Sequence, residues 1–431
     1  MHRWLLIAIF ACRAVATNAA DVTVPAPGDT RTIQAAIDRC SRTGGGRVIL
    51  PAGQHTAGTI LLKNDVVLQL EKDAVLQGSL AIADYQVVEP FVEGTGQRAG
   101  WCFIGAVDAH NIGIEGYGTI DGRGAAVNQA RPSADRDKRP SLIRFVRCQG
   151  VSLSGVRLES AAMWMVHLAL CRDVRANGLT LRNHGAPNND GFDLDSCDGA
   201  VLEKCDIDTS DDALCLKSTY ATPSRHIAVR GCQLASDCGA IKLGTESLGG
   251  FEDVRIENCR ITKGRLGGIK LFSVDGGSLK NVLISGIDMN NVSLPILIRL
   301  GARGKTFHPG DRARPAGIVR NVTLENITAH GDGSTGVLIS GLPEHPVEQI
   351  TLRNLDLSLA GGNSGTLVSA LPENESAYPE IGMFGHPLPA CGFVLRHIRG
   401  LSVSGVKVQC KTPDARPLKF LEDVVDATWA E

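Results

Sequence analysis

NNDGFDLDSCDGAVLEKCDIDTSDDALCLKS, residues 188–218, holds two short apolar alternations, Phe192/Leu194 and Leu214/Leu216, each preceded by carboxylates. A period of two marks a half-buried strand. Asp190 stands just ahead of the first alternation and the pair Asp211-Asp212 just ahead of the second. If about 22 residues make one turn of a stacked solenoid, Asp190 and Asp212 fall on neighbouring strands roughly 4.8 Å apart. The three carboxylates then share one patch.

Working outward, the same pattern recurs in register. Units begin at Val151 (VSLSGVRL), Val174 (VRANGLTL), Ala200 (AVLEKCDI), Ile227 (IAVRGCQL), Val254 (VRIENCRI), Val282 (VLISGIDM), Val322 (VTLENITA), Ile350 (ITLRNLDL) and Leu401 (LSVSGVKV). Their fifth slot is Gly155, Gly178, Gly231, Gly286, Gly405, Asn258, Asn326 or Asn354, with Lys204 the exception. Gly and Asn accept a left-handed backbone, so this slot is a tight turn. The sixth slot, from Val156 and Leu179 through Cys205, Cys232 and Cys259 to Val406, points inward as a ladder. Starts from Val174 to Val282 that differ by 26, 27, 27 and 28 residues leave no room for a helix in each unit. Such spacing indicates an all-β, single-domain parallel β-helix. Ahead of it, Thr32 to Cys40 places Ile33, Ala36, Ile37 and Cys40 on one helical face, with Thr30 or Thr32 as N-cap. That helix is expected to cap the open end of the solenoid. Surplus residues fall at Gly122–Pro140, Gly301–Pro315 and Gly361–Pro389. The first two are expected to line a cleft; for the third, cleft wall and disordered excursion stand even.

The chain has 431 residues, a formal net charge of −2 and only 4% aromatic content. No basic footprint for nucleic acid is present. Residues 1–20 carry His2 and Arg3, the apolar run Trp4 to Cys12, and small residues ending Ala14-Val15-Ala16 or Thr17-Asn18-Ala19. They form a secretory signal peptide, too short to span a membrane, and residues 21–431 form the β-helix domain. Simple export, giving a secreted or periplasmic monomer, is favoured over lipid anchoring at Cys12. Cys205, Cys232 and Cys259 sit where other units carry Val, Leu or Ile, so a ladder of small buried hydrophobes with at most a few disulfides is expected. No Cys/His spacing resembles a zinc site, and no metal or other cofactor is expected.

Like charges a few Å apart raise each other's pKa, so at least one carboxyl in the patch holds a proton. Glycoside hydrolysis needs that combination: an acid to protonate the leaving oxygen and a carboxylate to activate water. Solvated strand caps are the usual fate of such residues, and the acids alone leave both readings open. The stretch resembles the polygalacturonases, glycoside hydrolase family twenty-eight, whose motifs run Asn-Thr-Asp, Asp-Asp, Gly-His-Gly and Arg-Ile-Lys. Asn188-Asn189-Asp190 matches the first with Asn for Thr, and Asp211-Asp212 matches the second fully. The resemblance implies a right-handed β-helix, Asp211 as general acid, and Asp190 and Asp212 as the pair around the water. For inversion, Asp211 should stand about 6.5 Å or more from the other two.

Aligning the apolar pairs Phe192/Leu194, Leu214/Leu216, Ile241/Leu243, Ile269/Leu271 and Ile298/Leu300 leaves Asp193, Cys215, Lys242, Lys270 and Arg299 as an outward column. Three stacked cations repel one another and call for an anion. A uronate carboxylate supplies one, and Lys270 matches the Lys that the family uses for it. The matching Arg position is Gly268, with Arg265 close by. Asn188 and His184 complete the expected substrate contacts. No His stands where the family's falls, near Cys238-Gly239, which points away from a typical endo-acting enzyme. The expected partner is a galacturonate-containing polysaccharide, with exo action and action on rhamnogalacturonan both open. The alternatives are a polysaccharide lyase using a Lys or Arg base, and a non-catalytic carbohydrate-binding β-helix.

Overall fold

The computed structural model describes residues 20–430 apart from 365–367 and 369, so the leader and Cys12 lie outside the described residues. From Gly46 the chain winds into one continuous, overwhelmingly parallel sheet, a right-handed β-helix. One turn runs Phe192–Asp195, Asp198–Glu203, Asp206–Thr209, and the next repeats it as Leu214–Ser218, Ser224–Arg230, Gln233–Ser236. Each strand pairs with its counterpart one turn later: Phe192 opposite Leu214, Ala200 opposite Ile227, Asp206 opposite Gln233. Inward residues Leu194, Leu216, Leu243, Leu271 and Ile298 are fully buried. Truncating any of these to Ala costs about 2–5 kcal/mol.

The repeat units stack as their sequence register requires, from Val151 beside Val174 through to Ile350 beside Leu401. Their fifth slot is left-handed throughout, with φ from 53° at Lys204 to 72° at Gly155. Lys204 thus takes the same turn without the freedom of Gly, at about 1–2 kcal/mol. In the sixth slot, all the described cysteines being free thiols, Cys205, Cys232 and Cys259 stack sulfur beside sulfur.

The helix Thr30–Arg42 buries Ile33, Ala36, Ile37 and Cys40 against the first strands, as its periodicity predicts. Its N-cap is Asp29, not Thr30 or Thr32. The Asp29 carboxylate accepts from Thr32 N at 2.8 Å, and the Thr32 hydroxyl takes the Asp29 N–H in return. An ionised cap also suits the positive end of the helix dipole, which a Thr hydroxyl does less well.

Three features shape the outer surface above the acidic stretch. An antiparallel hairpin, Gln86–Val92 with Arg98–Val107, carries its tip at Glu93–Gln97. The insertion at 122–140 contributes a short helix, Gly124–Ala130. The insertion at 361–389 is no loose excursion: Leu371, Phe384, Leu388 and Ala390 pack with Phe272, Leu294, Leu297 and Leu338 on the outside of the solenoid.

The outward column differs from its expected register at one place. Asp193, Cys215, Lys242 and Lys270 do lie on successive rungs, but Lys270 faces Leu297, and Arg299 faces Phe272. In ILIRL, residues 296–300, the inward set Ile296, Ile298, Leu300 is apolar throughout. A slip of two residues therefore keeps every side chain on its own face. Arg299 consequently leaves the column.

Candidate active site

Side chains hold the acidic turn in shape. Asn189 Nδ2 donates to Ala161 O at 2.9 Å and Met163 O at 3.1 Å, and Asn183 Nδ2 donates to Asp190 O at 2.7 Å. One turn on, the hydroxyls of Thr209 and Ser236 both donate to Asp211 O at 2.6 Å. The Gly191 N–H donates to Asp212 O at 2.9 Å, which places Asp190 and Asp212 on adjacent rungs. These bonds satisfy the buried main-chain carbonyls of the turn and fix the backbone from which the carboxylates project.

The three acids differ electrostatically. Asp212 accepts from Lys242 Nζ at 2.6 Å and from Gly239 N at 3.1 Å. Burial alone would raise its pKa, yet Lys242, Lys270 and Lys217 together hold it below the usual value. Asp211 has no ion-pair partner within 4 Å among the described residues; its Oδ1 accepts only the Asp212 N–H, at 3.0 Å. Burial, and then the Asp212 charge, raise its pKa. Asp190 is buried beside Lys217, whose Nζ lies 3.2 Å away. That same ammonium reaches Asp193 at 3.5 Å and Glu246 at 3.6 Å, and lies 4.4 Å from the Trp164 ring centroid. Burial pushes Asp190 up, and Asp193 up to about 7, so one lysine shared among carboxylates leaves a proton within the group.

An oxygen of Asp211 and one of Asp212 lie within 4.8 Å of each other and of Cys238 Sγ, closer than the separation expected from sequence. Lys242 and the Gly239 N–H draw the Asp212 carboxylate over the turn, next to its neighbour. Asp190, Asp193 and Cys215 likewise bring ligand atoms together. In both groups an ammonium, Lys242 or Lys217, already supplies the positive charge, so a lysine does what a cation would do there.

Asp190, Asp211, Asp212, Asn188 and Lys242 line one narrow cleft, joined by Lys217, Glu246, Glu93, Trp164 and Tyr378. Lys270 stands on the next rung but is fully buried, its ammonium paired with Glu380 of the 361–389 insertion. Arg299 donates to Ser340 Oγ at 2.7 Å, Gly341 O at 2.9 Å and Glu373 O at 2.6 Å. It is an anchor for the insertion. His184 pairs with Asp208 at 3.1 Å, half-exposed, and is not among the cleft-lining residues. Of the residues that sequence reasoning passed over, Lys217 was within reach, two positions after Cys215 on the same outward face. Glu93 and Tyr378 arrive on the hairpin and the insertion, and no local pattern marks them.

A parallel β-helix bearing an acid, a charge-stabilised carboxylate and a third carboxylate around one cleft defines a carbohydrate-processing solenoid. Residues 40–377 match the family Glycosyl hydrolases family 28, so the chain belongs to that family and is a glycoside hydrolase. It is similar to a probable polygalacturonase of Vitis vinifera, 27% identical and covering 81% of this chain and 75% of that protein. An endo-polygalacturonase of Pectobacterium carotovorum subsp. carotovorum is 25% identical over 82% of this chain and 93% of its own. In three dimensions the chain resembles the family 28 exopolygalacturonase of Yersinia enterocolitica. There the TM-score is 0.70 at 20% identity, over 95% of this chain and 78% of the other.

Proposed function

We propose that this protein hydrolyses glycosidic bonds of a galacturonate-containing pectic polysaccharide, from chain ends, with inversion at the anomeric carbon. The observation that carries the reading is the division among the acids: Asp211 is unpaired and raised, while Asp212 is held ionised between Lys242 and Gly239. Asp211 donates its proton to the leaving oxygen; Asp212 orients the water, and Asp190 takes the proton from it. Both Asp212 oxygens already accept hydrogen bonds, which favours attack by water over attack by Asp212 itself. The names of the relatives support the substrate class, and both endo and exo action occur among them. Chain-end action is favoured by the walls of the cleft, Glu93 to Thr95 on the hairpin and Tyr378 on the insertion. A lyase requires an unprotonated Lys or an Arg as base, whereas Lys217 and Lys242 are ion-paired with their pKa values raised. Export through the leader-like residues 1–20 belongs to the same reading, with mature N-termini expected after Ala16 or Ala19.

The test is digestion of defined oligogalacturonides and pectic fragments, followed by proton NMR for the first anomer formed and by ultraviolet absorbance for an unsaturated uronide. Sugars released from one end with inverted configuration and no absorbance are expected. Retained configuration, or unsaturated products, overturns the mechanism.

A further inference from the structure

Lys217 brings one positive charge into a ring of three carboxylates: Asp190 at 3.2 Å, Asp193 at 3.5 Å and Glu246 at 3.6 Å. All four side chains are buried. Like charges packed this closely favour the form in which one carboxyl keeps its proton. Hydrogen bonds distinguish which one. Asp190 Oδ2 accepts from Lys217, and Glu246 Oε1 accepts the Gly94 N–H at 2.8 Å. Neither oxygen of Asp193 has a hydrogen-bond partner among the described residues, and the residue is 0% exposed. The ammonium approaches it without the geometry of a hydrogen bond.

The neighbours of Asp193 have their own polar atoms engaged. On the rung before it, His167 meets Arg144 through Nδ1 and Asp195 through Nε2 at 3.3 Å. On the rung after it, the Cys215 thiol donates to Gly244 O at 3.2 Å. One rung further, Lys242 holds Asp212. A closed, donorless carboxylate is costly, and the neutral acid much less so. Burial, with the Asp212 and Glu246 charges, pushes the Asp193 carboxyl up to about 7 against the pull of Lys217. Burial raises Asp190 as well, but Asp190 has the hydrogen bond from Lys217 and opens on the cleft, where Asp193 does not.

We propose that Asp193 keeps the shared proton and is thereby a positioning residue for the base: held neutral, it leaves the Lys217 charge to Asp190, which stays ionised. The proposal rests on the hydrolytic reading above, in which Asp190 takes a proton from the attacking water. Ionised together, Asp193 and Asp190 would divide one ammonium, and Asp190 would hold a proton of its own instead of accepting one.

Neutron diffraction from crystals of the perdeuterated, unsubstituted protein, grown at a pH where it is active, reads the proton directly. Deuterium on Asp193, with Asp190 and Glu246 bare, is expected; deuterium on either of those two, or on none of the three, overturns the proposal. Kinetics supply the second arm, because the acidic limb of kcat/KM against pH reports the base of the free enzyme. Asp193→Asn puts a neutral amide in place of a neutral carboxyl and should leave that limb in position. Lys217→Met removes the charge beside Asp190 and should move it up by at least about one pH unit. A limb displaced to lower pH in Asp193→Asn shows that a negative charge beside Asp190 was lost, and refutes the proposal; so does a limb that Lys217→Met leaves in place. Should either variant not fold, the neutron map decides alone. Failure of the underlying reading shows separately, as absent hydrolysis or retained configuration whichever carboxyl bears the deuterium.

Discussion

Replacing Lys242 by Met tests the charge arrangement of the cleft most directly. Lys242 Nζ and Asp212 Oδ2 are 2.6 Å apart, with side-chain exposures of only 4% and 2%. Removing the ammonium leaves a buried carboxylate that keeps just the Gly239 N–H, at 3.1 Å, as a donor. Breaking a buried pair from one side costs about 3–5 kcal/mol, because the remaining charge is uncompensated. The pH dependence has a definite sign. In the native protein the Asp212 pKa lies below 3.8, so its contribution to stability is present above the unfolded value and lost as pH falls through the folded one. In Lys242→Met, burial is opposed only by the more distant lysines, the Asp212 pKa rises, and the loss of stability with falling pH begins at higher pH. Urea unfolding at several pH values, with the slope checked for constancy, measures both effects. The pair Lys242→Met/Asp212→Asn should recover most of the loss, since no buried charge is then left alone. A single variant that loses less than about 1 kcal/mol, or a double variant no better than the single, would refute this account.

Other outcomes follow from the same structure. Asp211→Asn should lower kcat by about 10²–10⁴ with unchanged melting and retained oligosaccharide binding, because an amide cannot protonate the leaving oxygen; a few-fold loss would remove Asp211 as the acid. His167 is buried beside Asp195, 3.3 Å away, and burial, then Arg144, depress its pKa to about 4. It binds a proton in the unfolded chain before the folded one, so its contribution to stability falls as pH drops from about 6.5 towards 4, and His167→Gln should flatten unfolding free energy against pH in that window. Arg299→Ala should loosen the 361–389 insertion, which loses the hydrogen bond from this charged donor to Glu373 O, worth about 1.5–3 kcal/mol; limited proteolysis should then cut near Glu373, and resistance equal to the unsubstituted protein would contradict the anchoring role. Cys232→Val should cost about 1 kcal/mol or less, and a thiol reductant should leave the urea midpoint of the unsubstituted protein in place; a marked drop would reveal a disulfide.

The solenoid and the acid triad were legible in the amino-acid order because both are local and periodic. The turn slot from Gly155 to Gly405, its inward neighbour, and the motif Asp190…Asp211-Asp212 repeat at the pitch of the fold, so counting residues places them in space. Apolar alternation specifies which face a residue occupies, yet it is unchanged by a slip of two, and for that reason the pattern aligns Arg299 with Lys270 although Arg299 pairs with Phe272. Long-range partners left no local trace. Glu246 accepts from Gly94 N, 152 residues away, at 2.8 Å, and Lys270 meets Glu380 across 110 residues. Whether a lysine in the column faces a substrate or a carboxylate of its own chain depends on where the hairpin at 93–97 and the insertion at 361–389 come to rest. Their packing and hydrogen bonds settle that, and those exist only once the turns beneath them have stacked.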